Sequence, residues 1–359
     1  MPYCRRCGTK LDEDAHFCLR CGTPVAVYVP IPALVVPARP ARPIRKEPLV
    51  IAAVALIAIL LATVVVVAII AAPVDSVNFN QTDQDSHQSI NTLNLNVQAD
   101  NAQVDIITQN IPGQNILIIT AASGSRGILD SNKPVTVTFT NETQNNVLTV
   151  NTKITEANGF FTNNFQVTCT VYVNPALNLN VNVTTQAGKI TLDSEKPAVF
   201  QSVNLQANAG NVEVNLQNFT ISGNLSLKTS AGSVYYGLSQ ASVLGNQTVD
   251  LQSNTGEVTM NITQTKMMQG TLQVNAETNV GSVNVGLVID GDVGAKIVSQ
   301  TGNLGSIHAD AQNFSGDQSP IQSDNYPAAS NIEINSQTNL GNININAAYQ
   351  SSSGPSLKN

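Results

Sequence analysis

The sequence predicts a mainly β protein: a β-solenoid, parallel β-helix-like, with rungs of about 22 residues, preceded by one apolar α-helix and a small four-cysteine N-terminal module. Three observations predict it. A strand–glycine–strand unit recurs through the C-terminal half. An apolar stretch of 24 residues, Leu49–Ala72, carries no charge. Two Cys-x-x-Cys pairs lie within the first 21 residues.

Composition sets the frame. The 359 residues carry a net charge of −7, with only 11% charged and a mean hydropathy of +0.02. The charge is split. Residues 1–48 hold eight Lys/Arg against four Asp/Glu, and residues 73–359 hold nine against twenty. A polar chain with one apolar segment is not a polytopic transporter. Net acidity argues against nucleic acid as a partner, which would need a basic face. With no Trp, 4% aromatics and three His, most pocket chemistry lacks its usual side chains.

Residues 1–24 come first. Cys4-x-x-Cys7 and Cys18-x-x-Cys21 are separated by ten residues. Each pair can offer two thiolates from one tight turn, and four suit tetrahedral Zn²⁺. Gly8 and Gly22 follow each second cysteine and let the backbone close around the sulfur. So short a module cannot build a core, so one structural zinc would supply its folding energy. A redox dithiol pair is the rival reading, and the symmetrical CxxCG repeat favours zinc. His16 is expected to be exposed, since four sulfurs fill the site. The segment YCRRCGTKLDEDAHFCLRCGTPV resembles the short zinc-ribbon family found at the N-termini of many prokaryotic membrane proteins. Arg5 replaces that family's usual proline, which does not affect ligation.

Residues 25–48 are Pro-rich and read as a semi-extended linker. Residues 49–72 read as a transmembrane helix, since 24 residues at 1.5 Å each exceed a hydrocarbon core of about 30 Å. A cleaved signal peptide would have a shorter apolar run near the N-terminus. Arg39, Arg42, Arg45 and Lys46 precede the span, and no Lys or Arg follows until Arg126. Positive charge stays inside. The N-terminus is therefore expected in the cytoplasm and residues 73–359 outside the cell membrane. All eight sequons, at Asn80, Asn141, Asn182, Asn218, Asn224, Asn246, Asn261 and Asn313, follow the span, so the outer part is expected to be glycosylated on a suitable host.

Residues 73–175 read as an irregular β region or cap, with strands at Ile116–Ala122, Val135–Thr140 and Phe165–Val173, and an aromatic turn at Asn158–Asn164. Residues 176–349 read as solenoid repeats, and 350–359 as a disordered tail. Copies include LNVNVTTQAGKITL at Leu179–Leu192, VNLQANAGNVEVNL at Val203–Leu216 and IEINSQTNLGNINI at Ile332–Ile345. The marker glycines are Gly188, Gly210, Gly232, Gly256, Gly281, Gly302 and Gly341, spaced 22, 22, 24, 25, 21 and 39 apart. An insertion between Phe314 and Ser330 fills the last gap. One repeat cannot bury its apolar face, whereas a stack can. A single alternation is expected to turn Val203, Leu205, Val212, Val214 and Leu216 inward and Asn204, Gln206, Asn211, Glu213 and Asn215 outward. An antiparallel sandwich of the same strands is the alternative, and the regular glycine spacing favours the solenoid. The recurring unit resembles the bacterial and archaeal adhesin-like β-solenoid family, well over 176–349 and poorly over 77–175.

Little chemistry is visible. Cys169 alternates with Val167 and Val171 and reads as core filler rather than an intermolecular disulfide. Asp290-Gly-Asp292 reads as a solvated loop, because Ca²⁺ needs six or more oxygens. Asp193, Glu195, Glu213, Asp250, Glu257 and Glu277 are scattered, and His87 and His308 show no paired acid and cysteine. No nucleophile elbow, zinc-protease or nucleotide-binding motif is present. The expected function is non-catalytic. A membrane-anchored surface protein would display the solenoid to an envelope polymer, cell surface or protein partner. The alternative is a transmembrane sensor whose ribbon docks a cytoplasmic protein.

Overall fold

The computed structural model describes residues 3–25, 47–71, 75–87, 89–126, 135–156 and 166–350. Most of the expected linker, the aromatic turn at Asn158–Asn164 and the tail from residue 351 lie outside the described residues. The chain divides into two compact units, Met1–Ala62 and Thr63–Asn359.

Helix α1 spans Glu47–Ala71, 25 residues. Pro48 is tolerated because the first helical turn has no intrahelical partner for its missing N–H. Its side chains are described over 55–67, and all of these are exposed, Leu56 and Leu61 at 61% each. Among the described residues no helix is long and apolar enough to cross a membrane.

The rest is mainly β. The first strands are β1 (Asp75–Asp85), β2 (Thr92–Thr108), β3 (Ile116–Arg126), β4 (Val135–Gln144), β5 (Val147–Glu156) and β6 (Gln166–Val173). The repeats follow as β7 (Asn178–Ala187), β8 (Ile190–Ser194), β9 (Val199–Ala209), β10 (Val212–Gln217), β11 (Thr220–Ile221), β12 (Leu225–Ala231), β13 (Val234–Ser239), β14 (Ser242–Val243), β15 (Gln247–Thr255), β16 (Val258–Gln264), β17 (Thr271–Val280) and β18 (Val283–Asp290). The chain closes with β19 (Val293–Thr301), β20 (Ile307–Gln312), β21 (Phe314–Ser315), β22 (Ile321–Ser323), β23 (Ser330–Leu340) and β24 (Ile343–Gln350).

These strands join into one nearly closed, barrel-like sheet around a single core. Two runs of strands form its walls. The front run is β4–β5–β2–β7–β9–β12–β15–β17–β23–β19–β22. The back run is β1–β3–β6–β2–β8–β10–β13–β16–β18–β24–β20. From β5 to β19 in front, and β6 to β20 behind, every pairing is parallel. Leu205 faces Leu227, 22 residues on, and Leu227 faces Leu251, 24 on. Parallel neighbours on successive passes are what the repeat spacing predicts.

Order in space departs from order in sequence at both ends. The β2 rung lies between the β5/β6 rung and the β7/β8 rung. The last rung, β23/β24, inserts between β17/β18 and β19/β20. Strand β2 serves both walls, through Thr92–Asn101 in front and Ala102–Thr108 behind.

Alternation is correct within each strand but shifts phase at the turn. Val203, Leu205 and Ala207 point inward before Gly210, and Val212, Val214 and Leu216 after it. The first set is odd-numbered and the second even-numbered, so the single alternation expected across the unit does not hold. The glycine turn absorbs one residue.

The turns explain the glycines. Gly188, Gly210, Gly232, Gly256, Gly281 and Gly341 have φ between +131° and +151°. A Cβ on Gly256 would stand 1.9 Å from the Gly232 carbonyl oxygen, and one on Gly232 2.1 Å from that of Gly210. The glycines therefore form a column in which each accommodates the carbonyl of the rung before. Gly302 does not join it. Its neighbour is the Asn339 carbonyl, and Gly305 stacks on Gly341 instead. Three residues before the marker a buried hydroxyl recurs. Thr229, Ser253, Thr278 and Thr338 donate to the carbonyls of Gly210, Gly232, Gly256 and Gly281 at 2.7, 2.8, 2.9 and 2.9 Å. Ala207 holds the same place without a hydroxyl.

Candidate metal centre and candidate binding face

The N-terminal unit builds two matching turns. Cys4 N–H donates to Thr9 O and Gly8 N–H to Cys4 O, while Cys18 N–H donates to Thr23 O and Gly22 N–H to Cys18 O. Gly8 and Gly22 sit at φ +68° and +70°, which a Cβ would strain. Each turn aims two sulfurs at the other pair. Cys4 Sγ lies 3.6 Å from Cys21 Sγ, and Cys7 Sγ 3.6 Å from Cys18 Sγ. All four sulfurs lie within 4.8 Å of one another. Tetrahedral zinc with bonds of about 2.3 Å needs sulfurs about 3.8 Å apart. The cage therefore fits one such ion, and four sulfurs leave no open position for water. His16 is exposed and stands outside the group.

Thr9 Oγ1 lies 3.3 Å from Cys7 Sγ, and Thr23 Oγ1 3.2 Å from Cys21 Sγ. Contacts from the Thr9 side chain and backbone bring the Cys7 thiol down to about 6. The same pair from Thr23 lowers Cys21. Cys18 receives backbone N–H bonds from Arg20 and Cys21, which favour its thiolate. Burial and the neighbouring sulfurs outweigh them and push it up to about 11. Four packed sulfurs cannot all ionise alone, and a divalent cation removes that conflict. The threonines were legible as a repeated Cys-Gly-Thr but were not singled out.

The β unit presents a different surface. In front, Asn96 Nδ2 donates to Asn151 Oδ1 at 3.0 Å, Asn182 to Asn96 at 3.3 Å, and Asn204 to Asn182 at 2.8 Å. The column passes Ser226 and resumes with Asn275 donating to Asp250 at 2.8 Å and Asn335 to Asn275 at 3.0 Å. A second column links Asn339, Asn279 and Asn254. Parallel strands in register create these columns, because identical positions repeat about every 4.8 Å. Beside them a shallow groove of about 370 Å³ is lined by Gln206, Lys228, Gln252, Asn254, Glu277 and Asn279. Lys228 and Glu277 stand two rungs apart, roughly 9.6 Å, too far to act as one acid–base pair.

The scattered acids stay scattered. Glu213 pairs with Lys189 at 2.6 Å on the back wall, and Asp250 belongs to the front column. Gly291 N–H donates to Asp290 Oδ1 at 2.6 Å, so Asp290-Gly-Asp292 is a turn between β18 and β19. Among the described residues the four cysteines form the only group of three or more metal-capable side chains. Cys169 is buried between Val167 and Val171, and burial pushes its thiol up to about 12.

His87 corrects the sequence reading. It does have an acid partner, since its Nδ1 lies 2.5 Å from Asp85 Oδ2. Asp85 is buried and also receives His87 N–H at 3.0 Å, Asn115 Nδ2 at 3.1 Å and Asn141 Nδ2 at 2.7 Å. Burial alone would raise its carboxyl, but these donors outweigh it and hold the group below the usual range. The cluster ties β1 to β4. No cysteine or serine hydroxyl is bonded to His87 among the described residues, so the pair has no nucleophile.

Comparisons with known proteins follow from this geometry. A "putative cell adhesion protein" from Clostridium sporogenes is 13% identical, with TM-score 0.40, over 76% of this chain and 100% of that one. A "putative adhesin" from Bacteroides fragilis is 16% identical, with TM-score 0.28, over 76% and 97%. One from Parabacteroides merdae is 13% identical, with TM-score 0.21, over 75% and 96%. No curated protein sequence matches. The zinc-ribbon domain family matches residues 3–25. With its four converging sulfurs, that segment is a zinc-ribbon domain able to hold one metal ion.

Proposed function

We propose that the chain is a single-pass membrane protein that displays a non-catalytic β-solenoid outside the cell, where its polar faces bind an envelope polymer or another cell surface. The observation that carries this is the in-register amide column running from Asn151 to Asn204 and resuming at Asp250. Each amide spends one donor on its neighbour and leaves hydrogen-bonding capacity facing solvent at a fixed repeat. A polymer of polar units can be read by such a ruler. The uncharged 24-residue apolar run Leu49–Ala72 in the sequence supports the membrane anchor. The basic residues before it support a cytoplasmic N-terminus. Seven of the eight sequon asparagines are exposed, Asn182 being half-buried, which supports glycosylation where the host provides it. Cys4, Cys7, Cys18 and Cys21 would ligate one structural zinc.

The test is a pull-down of intact cells and purified envelope polymers by the full chain in detergent micelles. Retention that falls when Asn204 and Asn275 are changed to Leu supports the reading. No retention on any envelope fraction overturns it.

A second reading, a sensor signalling through the ribbon, is favoured by one observation. Phe17 and Leu19 are 61% and 98% exposed. With Leu11 and Ala15 they line a groove of about 330 Å³ suited to an apolar partner segment. Deleting residues 1–24 decides between them. Unchanged surface binding with an unchanged expression profile removes the sensor.

A further inference from the structure

The two ends of the stack are finished differently. At the β1/β4 end, Asn141 of β4 bonds Asp85 of β1 and ties the walls together. At the other end the front wall is closed by the insertion. β22 pairs antiparallel with β19, Ser323 Oγ accepts from Ala295 N–H at 2.8 Å, and Ser319 Oγ accepts from Ser299 N–H at 2.8 Å. The back wall at this end stops at β20. Among the described residues β20 pairs only with β24, and its other edge meets nothing. It carries no Pro, Lys or bulge, three of the devices that protect an edge.

Its phase can be read. Ser306 O accepts from Ile343 N–H, so even-numbered residues direct their backbone groups to β24. Ile307, Ala309 and Ala311 therefore direct theirs to the open edge. Their side chains face inward and are only half-buried, while His308, Asp310 and Gln312 are exposed.

We propose that β20 pairs antiparallel with β20 of a second copy of this chain, about a two-fold axis at Ala309. Only a register that keeps like faces together is allowed, and this one meets every requirement. Ala309 faces the partner's Ala309, and Ile307 faces the partner's Ala311 in both directions. These are the hydrogen-bonded pairs, giving about six main-chain bonds. The half-buried Ile307 and Ala311 gain cover from a continuous core. His308 faces the partner's Asp310 twice, in the closer non-hydrogen-bonded positions, so each imidazole meets a carboxylate. The strand is complementary to itself in backbone, apolar face and charge.

The geometry adds a function. β1 and β20 lie at opposite ends of the back wall, separated by ten strand spacings, roughly 48 Å. A β20–β20 pair therefore joins two stacks tip to tip, with their β1 ends pointing apart. Resting on the proposed outside placement of the stack, the pair would bridge two membranes, and the partner surface would be another copy.

The test uses the full chain in detergent micelles. Sedimentation velocity, with the detergent contribution removed, is expected to show two chains per particle. Ala309→Pro is expected to abolish pairing while leaving the circular dichroism unchanged, because its lost N–H faces the open edge. Asp310→Lys and His308→Asp are each expected to weaken pairing about tenfold. The exchange His308→Asp with Asp310→His is expected to restore it to within about threefold. A monomer at every concentration, or a dimer indifferent to these changes, overturns the pairing. Vesicles bearing the chain are then mixed. Clustering lost with Ala309→Pro supports a bridge between membranes. Dimers without clustering leave the pairing intact and overturn the bridge between membranes. Failure of polymer binding, by contrast, would not touch either result.

Discussion

The glycine column makes a sharp prediction at Gly256→Ala. The new Cβ would stand 1.9 Å from Gly232 O, with φ at +143°. Ordinary contact begins near 3.4 Å, so the rungs must separate by about 1.5 Å. The local cross-rung bonds cannot stretch that far. Gly232 N–H reaches Thr255 O at 2.9 Å, and Val234 N–H reaches Glu257 O at 2.9 Å. Losing both costs about 1–3 kcal/mol each where the groups are buried, and the strained φ adds about 1–3. A total of about 4 kcal/mol or more is expected. Gly291→Ala is the control, since its φ is +62° and nothing lies within 4 Å. It carries only the left-handed penalty of about 1–2 kcal/mol. Urea denaturation followed by far-UV circular dichroism measures both. If Gly256→Ala shifts the midpoint no further than Gly291→Ala does, the column does not hold the rungs as described.

Other outcomes follow from the same contacts. Thr278→Val removes the hydroxyl on Gly256 O and is expected to cost about 1–2 kcal/mol, whereas Ala207→Thr supplies the missing member and is expected to add up to about 1 kcal/mol. Both are read from urea midpoints. One zinc per chain is expected to be released when the thiols are titrated with a mercurial, and none from Cys18→Ser, as a colorimetric zinc assay reports. Asp85 gives a pH dependence. Its folded carboxyl lies below the unfolded value near 3.9, so its contribution is complete above that value and is lost as pH falls through the folded one. Midpoints at pH 7 and pH 3 are expected to converge in Asp85→Asn.

The repeats were readable because each carries its own punctuation. Gly210, Gly232 and Gly256 recur every 22 to 24 residues for a steric reason that only glycine satisfies, and period-two alternation marks the strands between. The β2 rung was invisible by that signal, because it turns from one wall to the other through Asp100–Asn101 without a glycine. Spacing also carries no information on which rung lies beside which, so the inverted ends could not be read from it. Gly302 kept the spacing but not the conformation, and Gly305 took its place. The four cysteines were legible because metal ligation constrains residue type and interval together. The Asp85 cluster was not, since Asn115 and Asn141 reach it from 30 and 56 residues away.

The inserted position of β23/β24 constrains how the molecule can be made. Synthesis delivers β19 and β20 before the rung that must lie beneath them. Neither has its parallel neighbour until residues 330–350 arrive. A chain halted after residue 329 would therefore lose two rungs, and the open tip would form on β18 instead. Formation of the tip therefore waits on β23 and β24.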